Sequence, residues 1–312
     1  MKNNINIDKT TEKILIIGAN GFLGLNIFKI LDKKENKEQN FSFIAADLRN
    51  INLPTDFPFF HIDITNSGET LKKIKKISPD IIILTAALTN VDQCEIHKKI
   101  AKKININGSK NVIKACRKNS SKLIFISTDF VFDGTKKNGN YNELDTPNPI
   151  NYYGKTKFEA EKALINSEIE YLICRTSVLY GWNKTKFNFI IWILDKLKHN
   201  EKISIVSNQI NSPTFVNNLA GILLKLIEKD IQGILHSAGD CALNRYEMAI
   251  KCAEIFNYDK DLIEKIEFIK QKALRPNDVS LDINKLKNII GNESKIFSLD
   301  DGLKYMKSHE ET

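Results

Sequence analysis

The sequence predicts an α/β fold built on a doubly wound parallel sheet, with a second, smaller α/β domain. Over the first 180 residues, short apolar runs alternate with segments of helical periodicity, as expected for strands covered by helices on both faces. The first apolar run leads into a glycine-rich turn and then into a helix, which is the order of a nucleotide-binding βαβ unit. The 312 residues suffice for one large core or two coupled domains.

Six strands and four helices are predicted in the first part of the chain. The strands are expected at residues 13–17, 42–46, 59–62, 81–85, 123–127 and 171–175. The helices are expected at residues 22–31, 69–77, 100–119 and 152–166. After about residue 180 the pattern becomes irregular, with helices near 186–199, 216–228 and 244–256. We therefore expect a flexible tail at 1–12, a nucleotide-binding domain at 13–177, and a smaller domain at 178–312 with segments that return to the first.

Charge and composition weigh against several classes of function. The formal net charge is +8, but only five of the 46 basic residues are arginine, and the lysines are spread over many helices. No basic stripe with interleaved aromatic residues is present, so nucleic acid is not an expected partner, whereas a phosphate-bearing small molecule is favoured. The longest apolar run, at 81–88, is far shorter than the ~20 residues that span a bilayer, so no membrane segment is expected.

The cysteines, the histidines and the start of the chain indicate a cytoplasmic protein without a metal site. The five cysteines form no Cys-x-x-Cys motif and lie mostly in apolar periodic runs, as reduced core residues do. The five histidines show no metal-ligand spacing, so no metal is predicted. The polar first residues lack the apolar stretch of a signal peptide.

The segment KILIIGANGFLGLNIF carries the first chemical signal. Gly18, Gly21 and Gly24 lie between a buried strand and a helix, where glycines let backbone amides approach a diphosphate at the helix N-terminus. A dinucleotide is therefore expected here, and the alternative is a tight turn without a ligand. The expected cofactor-binding residues of this turn are Gly18, Asn20, Gly21, Phe22, Leu23 and Gly24.

Acidic residues follow the next two strands. Asp47 comes 23 residues after Gly24, near the spacing of a carboxylate that binds the adenosine ribose hydroxyls. Its charge disfavours a 2′-phosphate, whereas Arg49 could attract one, so the cofactor is NAD or NADP, with NAD favoured. Asp63 could accept a hydrogen bond from the adenine amine, or could be an ordinary residue of a helix N-terminus.

The segment NPINYYGKTKFEAE places two tyrosines ahead of two lysines. Asn151 is a good N-cap, so a helix should begin at Tyr152, and residues four apart then share a face. Only Tyr153 and Lys157 form an aligned couple. An ammonium about 4 Å away, at an effective dielectric near ~20, stabilises a phenolate by on the order of 4 kcal/mol, which lowers the tyrosine pKa by about three units. The alternative is an exposed tyrosine beside a surface ion pair of Lys157 with Glu161.

A hydroxyl at the end of the fifth predicted strand completes this chemistry. Thr128 lies at the carboxyl edge of the sheet, where doubly wound folds bind ligands, although strand-end hydroxyls also form turns. Tyr153 can donate a proton to a carbonyl oxygen as hydride reaches the carbonyl carbon, and Thr128 can hold that oxygen by a hydrogen bond.

Together these motifs resemble the extended short-chain dehydrogenase/reductases, and within them the dTDP-4-dehydrorhamnose reductase group. The segments that carry the closer resemblance are AALTNVDQCE at 86–95, STDFVFDG at 127–134, NPINYYGKTKFEAE at 148–161, RTSVLYG at 175–181, NQINSPTF at 208–215 and LRPNDVSLDINKL at 274–286. They occur in order, and together with the glycine turn they give a resemblance that extends over nearly all of residues 13–305. The resemblance implies an NAD(P)-binding Rossmann domain at 13–177 and a substrate-binding domain over most of 178–312.

The resemblance also implies roles for individual residues. Tyr153 would be the proton donor, Lys157 would hold the nicotinamide ribose and lower the tyrosine pKa, and Thr128 would orient the substrate carbonyl. Asn105 would occupy a helix bend that supports the lysine through water. Further cofactor contacts are implied for Ile64, Ala86 and Ala87. Substrate contacts are implied for Thr89, Val91, Thr128, Asp129, Phe130, Val178 and Arg275.

Departures from the family pattern leave the sugar open. Val178 stands where these reductases typically carry the tryptophan against which the sugar packs. Asn208 and Asn211 stand where Asp and Gly are usual. Arg275 could equally form a loop salt bridge, and Arg175 at a strand end is expected to be structural.

The sequence thus predicts NAD(P)H-dependent reduction of a nucleotide-linked 4-keto sugar by a cytoplasmic protein that could be a homodimer. One alternative is an NAD-dependent nucleotide-sugar epimerase or 4,6-dehydratase of the same superfamily. Dehydratases usually show Asp-Glu after the threonine, whereas here Asp129 is followed by Phe130. The other alternative is a non-catalytic cofactor-binding subunit similar to the regulatory subunit of methionine adenosyltransferase, which would tolerate loss of the Tyr/Lys pair.

Overall fold

The computed structural model describes residues 11–33, 41–50, 53–54, 56–183 and 188–310. The predicted tail at 1–12 lies outside these residues except for its last two, and Glu12 already belongs to the first strand. Residues 186 and 187, at the start of the helix predicted at 186–199, also lie outside them.

The strands and helices are numbered in chain order. The strands are β1 Glu12–Ile17, β2 Phe41–Asp47, β3 Phe59–His61, β4 Ile81–Leu84, β5 Lys122–Thr128, β6 Tyr171–Thr176, β7 Leu179–Tyr180, β8 Ile203–Val206, β9 Ile210–Asn211, β10 Thr214–Phe215, β11 Gly233–His236, β12 Leu243–Asn244 and β13 Ile263–Ile266. The α-helices are α1 Phe22–Lys33, α2 Ser67–Ile77, α3 Val91–Ile96, α4 Lys98–Ala101, α5 Ser109–Asn119, α6 Tyr152–Ile165, α7 Phe189–Lys198, α8 Val216–Glu228, α9 Arg245–Phe256, α10 Asn284–Ile290 and α11 Leu299–Ser308.

A seven-stranded parallel sheet in the order β11-β6-β5-β4-β1-β2-β3 forms the centre of the molecule. The chain proceeds from β1 to β3 on one side and from β4 to β6 on the other, so the connections that leave β1 and β4 cover opposite faces. This reversal opens a crevice at the carboxyl ends of β1 and β4, where doubly wound sheets bind ligands. The predicted fold class is confirmed.

The alternation of side chains along β1 shows how the sheet is buried on both faces. Ile14 and Ile16 belong to one apolar core, which includes residues of α1 and α8. Leu15 and Ile17 point the other way, into a core that includes residues of α2, α5 and α6. Each face of a parallel sheet needs such a cover because neither face can be left to water.

The second half of the chain forms a further core. Helices α7, α9 and α11 pack together around Ile193, Met248 and Leu303, which are all fully buried, and β8 pairs with β13 at its edge. Strand β11 also comes from this half of the chain, but it pairs in parallel with β6 and extends the central sheet. Of the helices that the structure describes, none is long and apolar enough to cross a membrane.

The strands and helices predicted with residue ranges are confirmed to within about three residues at their ends, with one exception. Strand β11 and the helices α3, α10 and α11 had no predicted range. The single helix expected at 100–119 is divided, because Lys102–Gly108 is π-helical between α4 and α5. Gly108 in that turn faces Ile64 so closely that a Cβ would lie 2.7 Å from the isoleucine Cδ1.

Candidate active site

A cleft of about 980 Å³ occupies the crevice at the carboxyl edge of the sheet. One wall is the turn between β1 and α1, the floor includes the ends of β4 and β5, and the opposite wall comes from the second half of the chain. Eighteen of the residues predicted for the site line this cleft, namely Gly18, Asn20, Gly21, Phe22, Leu23, Asp47, Asp63, Ile64, Ala86, Ala87, Thr89, Val91, Thr128, Asp129, Phe130, Tyr153, Lys157 and Val178. Gly24, Arg49, Asn105 and Arg275 do not line it.

The glycine turn is shaped by close backbone contacts. Gly18 has φ +95°, and a Cβ there would lie 2.5 Å from the amide nitrogen of Ala86. A Cβ on Gly24 would lie 2.4 Å from the carbonyl oxygen of Gly18, so Gly24 lets α1 pack against the turn and does not line the cleft. The first turn of α1 contains no acidic residue, and its amides have no acceptor within the helix. A diphosphate fits this cradle.

Asp47 lies at the end of β2 beside the glycine turn. Its carboxylate accepts hydrogen bonds from the backbone amides of Asn20 at 2.9 Å and Leu48 at 2.7 Å, which fix it at the rim of the cleft. The side-chain amide of Asn20 donates to the carbonyl of Arg49. The Arg49 side chain is exposed and lies outside the cleft lining, so the structure places only the backbone of this residue at the turn.

Asp63 lines the same end of the cleft. Its carboxylate accepts a hydrogen bond from the amide of Thr65 at 2.8 Å, whereas the N-cap of the following helix α2 is Asn66. Burial acts to raise the pKa of Asp63, but the hydrogen bonds from Thr65 and the nearby charge of Lys103 outweigh it and hold the pKa below its usual value. Asp63 is therefore ionised in the cleft and is not the capping residue.

Thr128 and Asp129 form a hydrogen-bonded corner at the end of β5. The Thr128 hydroxyl donates to Asp129 Oδ1 at 3.0 Å and accepts from the amide of Phe130 at 3.2 Å. The other oxygen of Asp129 accepts from Ser177 Oγ at 2.5 Å and Asn211 Nδ2 at 2.9 Å. Burial raises the pKa of Asp129 in spite of these bonds. Asp129 lines the cleft, but its oxygens are engaged by the protein.

Tyr153 is in the first turn of α6, as predicted. Asn151 caps the helix by accepting a hydrogen bond from the amide of Gly154 at 2.8 Å. Burial raises the pKa of Tyr153, a hydrogen bond with Thr128 opposes the rise, and the charge of Asp129 adds to it. The sequence predicted a lowered pKa, and that direction is wrong for this structure because burial outweighs the hydrogen bond with Thr128.

Lys157 lies one turn after Tyr153 and is 3% exposed. Its ammonium nitrogen lies 3.9 Å from the centre of the Phe125 ring. Burial lowers the pKa of Lys157 to about 7, although the charge of Glu161 acts to raise it. The alternative of a surface Lys157/Glu161 pair is wrong, because Glu161 is fully buried and bonds to Arg175 Nη2 at 2.7 Å.

Two predicted residues act behind the cleft. Asn105, in the π-helical turn, bonds through its side chain to the amide of Leu88 at 2.8 Å, the carbonyl of Leu88 at 3.0 Å and the hydroxyl of Thr156 at 3.0 Å. It therefore ties the strand-end loop to α6. Arg275 forms an ion pair with Asp92 at 3.1 Å, which is the loop salt bridge that the sequence left as its alternative.

Val178 has an unusual backbone conformation at the cleft wall. Its φ of +39° is in the left-handed region, which a β-branched residue rarely adopts. The conformation is held by the hydrogen bond from the amide of Thr214 to the Val178 carbonyl at 3.1 Å. Val178 thus lines the cleft at the position where the sequence resemblance led us to expect a tryptophan.

Several cleft residues were not predicted from the sequence. They are Leu48, Thr65, Thr85, Ile100, Lys103, Ile104, Ile126, Ser127, Thr176, Leu179, Asn183, Asn188 and Arg245. Arg245 had one available signal, because it is one of only five arginines in a lysine-rich chain. The position of α9 across the cleft is a tertiary feature, and no local pattern in the sequence encodes it.

Comparison with known proteins gives consistent matches. The family model described as RmlD substrate binding domain matches residues 12–304. A dTDP-4-dehydrorhamnose reductase of Aggregatibacter actinomycetemcomitans is 30% identical over 293 residues, covering 89% of this chain and 93% of the relative. The beta subunit of methionine adenosyltransferase 2 from Bos taurus is 30% identical over 286 residues, covering 89% of this chain and 82% of the relative.

Solved structures show the same relationship. The crystal structure of a dTDP-4-dehydrorhamnose reductase from Bacillus anthracis in complex with NADP is 30% identical, has a TM-score of 0.82, and covers 96% of this chain and 99% of that one. A UDP-glucose 4-epimerase from Thermus thermophilus in complex with NAD has a TM-score of 0.79 at 16% identity, covering 95% of this chain and 98% of that one. The second match indicates a shared fold only.

Proposed function

Because the chain belongs to the family of the RmlD substrate binding domain, within the extended short-chain dehydrogenase/reductases, we propose that it is an NAD(P)H-dependent reductase of a nucleotide-linked 4-keto sugar. The observation that carries this proposal is that Thr128, Tyr153 and Lys157 line one cleft together with the glycine turn. The three residues are distant in sequence from that turn, and a binding-only cleft has no need of an acid, a hydroxyl and a buried lysine side by side.

The cofactor would lie along the glycine turn. Amides of the first turn of α1 would hold the diphosphate, and Asp47 would bind the adenosine ribose hydroxyls. When bound, the reduced nicotinamide supplies the hydride. The relative from Bacillus anthracis binds NADP, and Arg49 could approach a 2′-phosphate only if its exposed side chain turns toward the cleft. Both NAD and NADP therefore fit the proposal.

Tyr153 would act as the acid. Because its pKa is raised by burial, the phenol holds its proton at neutral pH until the substrate oxygen gains charge. An alkoxide is a far stronger base than a phenolate, so the proton moves from Tyr153 to that oxygen. Thr128 would hold the oxygen by a hydrogen bond, and the ammonium of Lys157 would stabilise the phenolate that remains.

The test is turnover with both reduced cofactors and a panel of nucleotide-linked 4-keto sugars, followed by the absorbance of the reduced nicotinamide. Mole-for-mole oxidation supports the reductase. Product formed without net oxidation would replace it by an epimerase. Tyr152→Phe is the matched control for Tyr153→Phe, since Tyr152 is the neighbouring tyrosine and is not among the residues that line the cleft.

A non-catalytic subunit is the second candidate, and the 30% identity to methionine adenosyltransferase 2 subunit beta favours it. It predicts cofactor binding without turnover on any keto sugar. It also predicts that Tyr153→Phe leaves every function of the protein unchanged, whereas the reductase requires that phenol.

A further inference from the structure

Arg245 places an isolated cation in the substrate half of the cleft. It is the first residue of α9, and its guanidinium lies 4.7 Å from the centre of the Phe189 ring. The described residues provide no ion-pair or hydrogen-bond partner for this guanidinium. Burial lowers the pKa of Arg245 to about 10; the charge of Asp129 acts to raise this pKa, and the charge of Arg275 lowers it further. The side chain therefore stays charged at neutral pH.

The acidic group nearest in effect to this cation is already engaged by other residues. Asp129 is the acidic group that acts on Arg245, but its oxygens are engaged by Thr128, Ser177 and Asn211. Arg275 is the other arginine that acts on this position, and its own partner is Asp92. A partly buried cation without a partner is unfavourable until an anion arrives.

The backbone that carries Arg245 is fixed. Strand β12, which precedes it, pairs with β9, and the amide of Arg245 donates to the carbonyl of Gln209 at 3.2 Å. The capping box between Asn244 and Glu247 satisfies the start of α9. The ring of Phe189 supports one face of the guanidinium. The fixed backbone and the contact with the Phe189 ring therefore limit the freedom of the Arg245 side chain before any ligand binds, which reduces the entropy lost on binding.

We propose that Arg245 forms an oxyanion subsite in the substrate half of the cleft, which takes a phosphate or a carboxylate group of the substrate. A guanidinium binds either group through two parallel hydrogen bonds. A nucleoside diphosphate supplies the phosphate, and an acidic sugar supplies the carboxylate. The assignment of this anion to a substrate rests on the function proposed above, but the subsite itself does not require turnover.

Calorimetric titrations of the full-length protein in the presence of NADP⁺ test this subsite. The probes are inorganic pyrophosphate, dTDP, and the pair UDP-glucose and UDP-glucuronic acid, which differ by one carboxylate. The variants are Arg245→Met, which removes the charge, and Arg245→Lys, which keeps the charge without the fork. The control is Arg117→Met, because Arg117 is exposed and pairs with Glu168 outside the cleft. Unchanged NADP⁺ affinity shows that each variant is folded.

Arg245→Met should weaken anion binding by about 10- to 100-fold, and Arg245→Lys should weaken it less. Equal weakening for pyrophosphate, dTDP and both sugars identifies the diphosphate as the anion. Weakening confined to UDP-glucuronic acid identifies a sugar carboxylate. The proposal is overturned if Arg245→Met binds all the probes as the wild type does, or if the wild type binds none of them. Arg245-dependent binding without NADPH oxidation on any keto sugar would support the subsite and refute the reductase.

Discussion

Replacing Lys157 by methionine should stabilise the protein while removing its activity. Burial lowers the pKa of Lys157 from 10.5 to about 7, with Glu161 acting in the opposite direction. At about 1.4 kcal/mol per pKa unit, the ammonium costs the folded state on the order of 5 kcal/mol relative to the unfolded chain. Methionine has a similar length and keeps the apolar contact with Phe125 without the charge.

The sign of the pH dependence follows from the two pKa values of Lys157. Because the folded-state pKa lies below 10.5, the unfolded chain binds more protons between about pH 7 and pH 10.5. The stability of the wild type should therefore rise with pH across that range. The advantage of Lys157→Met should be about 5 kcal/mol at pH 6 and about 2 kcal/mol at pH 9.

Urea unfolding at these two pH values, followed by tryptophan fluorescence, measures the difference. Lys155→Met is the matched control, since Lys155 is an exposed lysine on the same helix. The free energy of unfolding of this variant should differ from that of the wild type by less than about 0.5 kcal/mol. The reasoning is refuted if Lys157→Met is less stable than the wild type at both pH values, or if its advantage grows with pH.

Three other substitutions give sharp expectations. Tyr153→Phe should lower kcat by about 10²- to 10⁴-fold with unchanged cofactor affinity, and wild-type rates would contradict the proposed acid. Gly18→Ala should lower the free energy of unfolding by at least about 2 kcal/mol and weaken cofactor binding, because the new Cβ would lie 2.5 Å from a backbone amide nitrogen. The control is Gly221→Ala, whose Cβ would meet nothing within 4 Å and which should raise the free energy of unfolding by up to about 1 kcal/mol. Glu161→Gln should lower the free energy of unfolding in urea by about 3–5 kcal/mol, because it leaves the buried Arg175 without its ionic partner. A decrease no larger than that of Glu159→Gln, at an exposed position on the same helix, would argue against a stabilising role for the Arg175–Glu161 ion pair.

The central strands could be predicted because their signals are local. Buried parallel strands such as Ile81–Leu84 are continuous apolar runs, and the helices between them show a helical period. Strand β11 was missed because Gly233–His236 begins with a glycine and ends in a histidine, and so lacks the continuous apolar run that marks β4. Its pairing with β6 joins residues about 60 positions apart, which no local pattern encodes.

The candidate site could be predicted in part for the same reason. The four-residue spacing of Tyr153 and Lys157 is a helical property and is readable from the sequence. The direction of the Tyr153 pKa shift was not readable, since it depends on burial, which only the packed structure defines. The Arg175–Glu161 pair and the place of Arg245 in the cleft likewise require elements that are far apart in the chain.

The stoichiometry of a single reaction tests the central claim most directly. Purified protein, NADPH and a nucleotide-linked 4-keto sugar are incubated, and the oxidised cofactor and reduced sugar are counted together. The account predicts one mole of NADPH consumed per mole of 4-hydroxy sugar formed, and loss of both products in Tyr153→Phe. Reduced sugar formed at the same rate by Tyr153→Phe, or cofactor binding with no product from any 4-keto sugar tested, would contradict it.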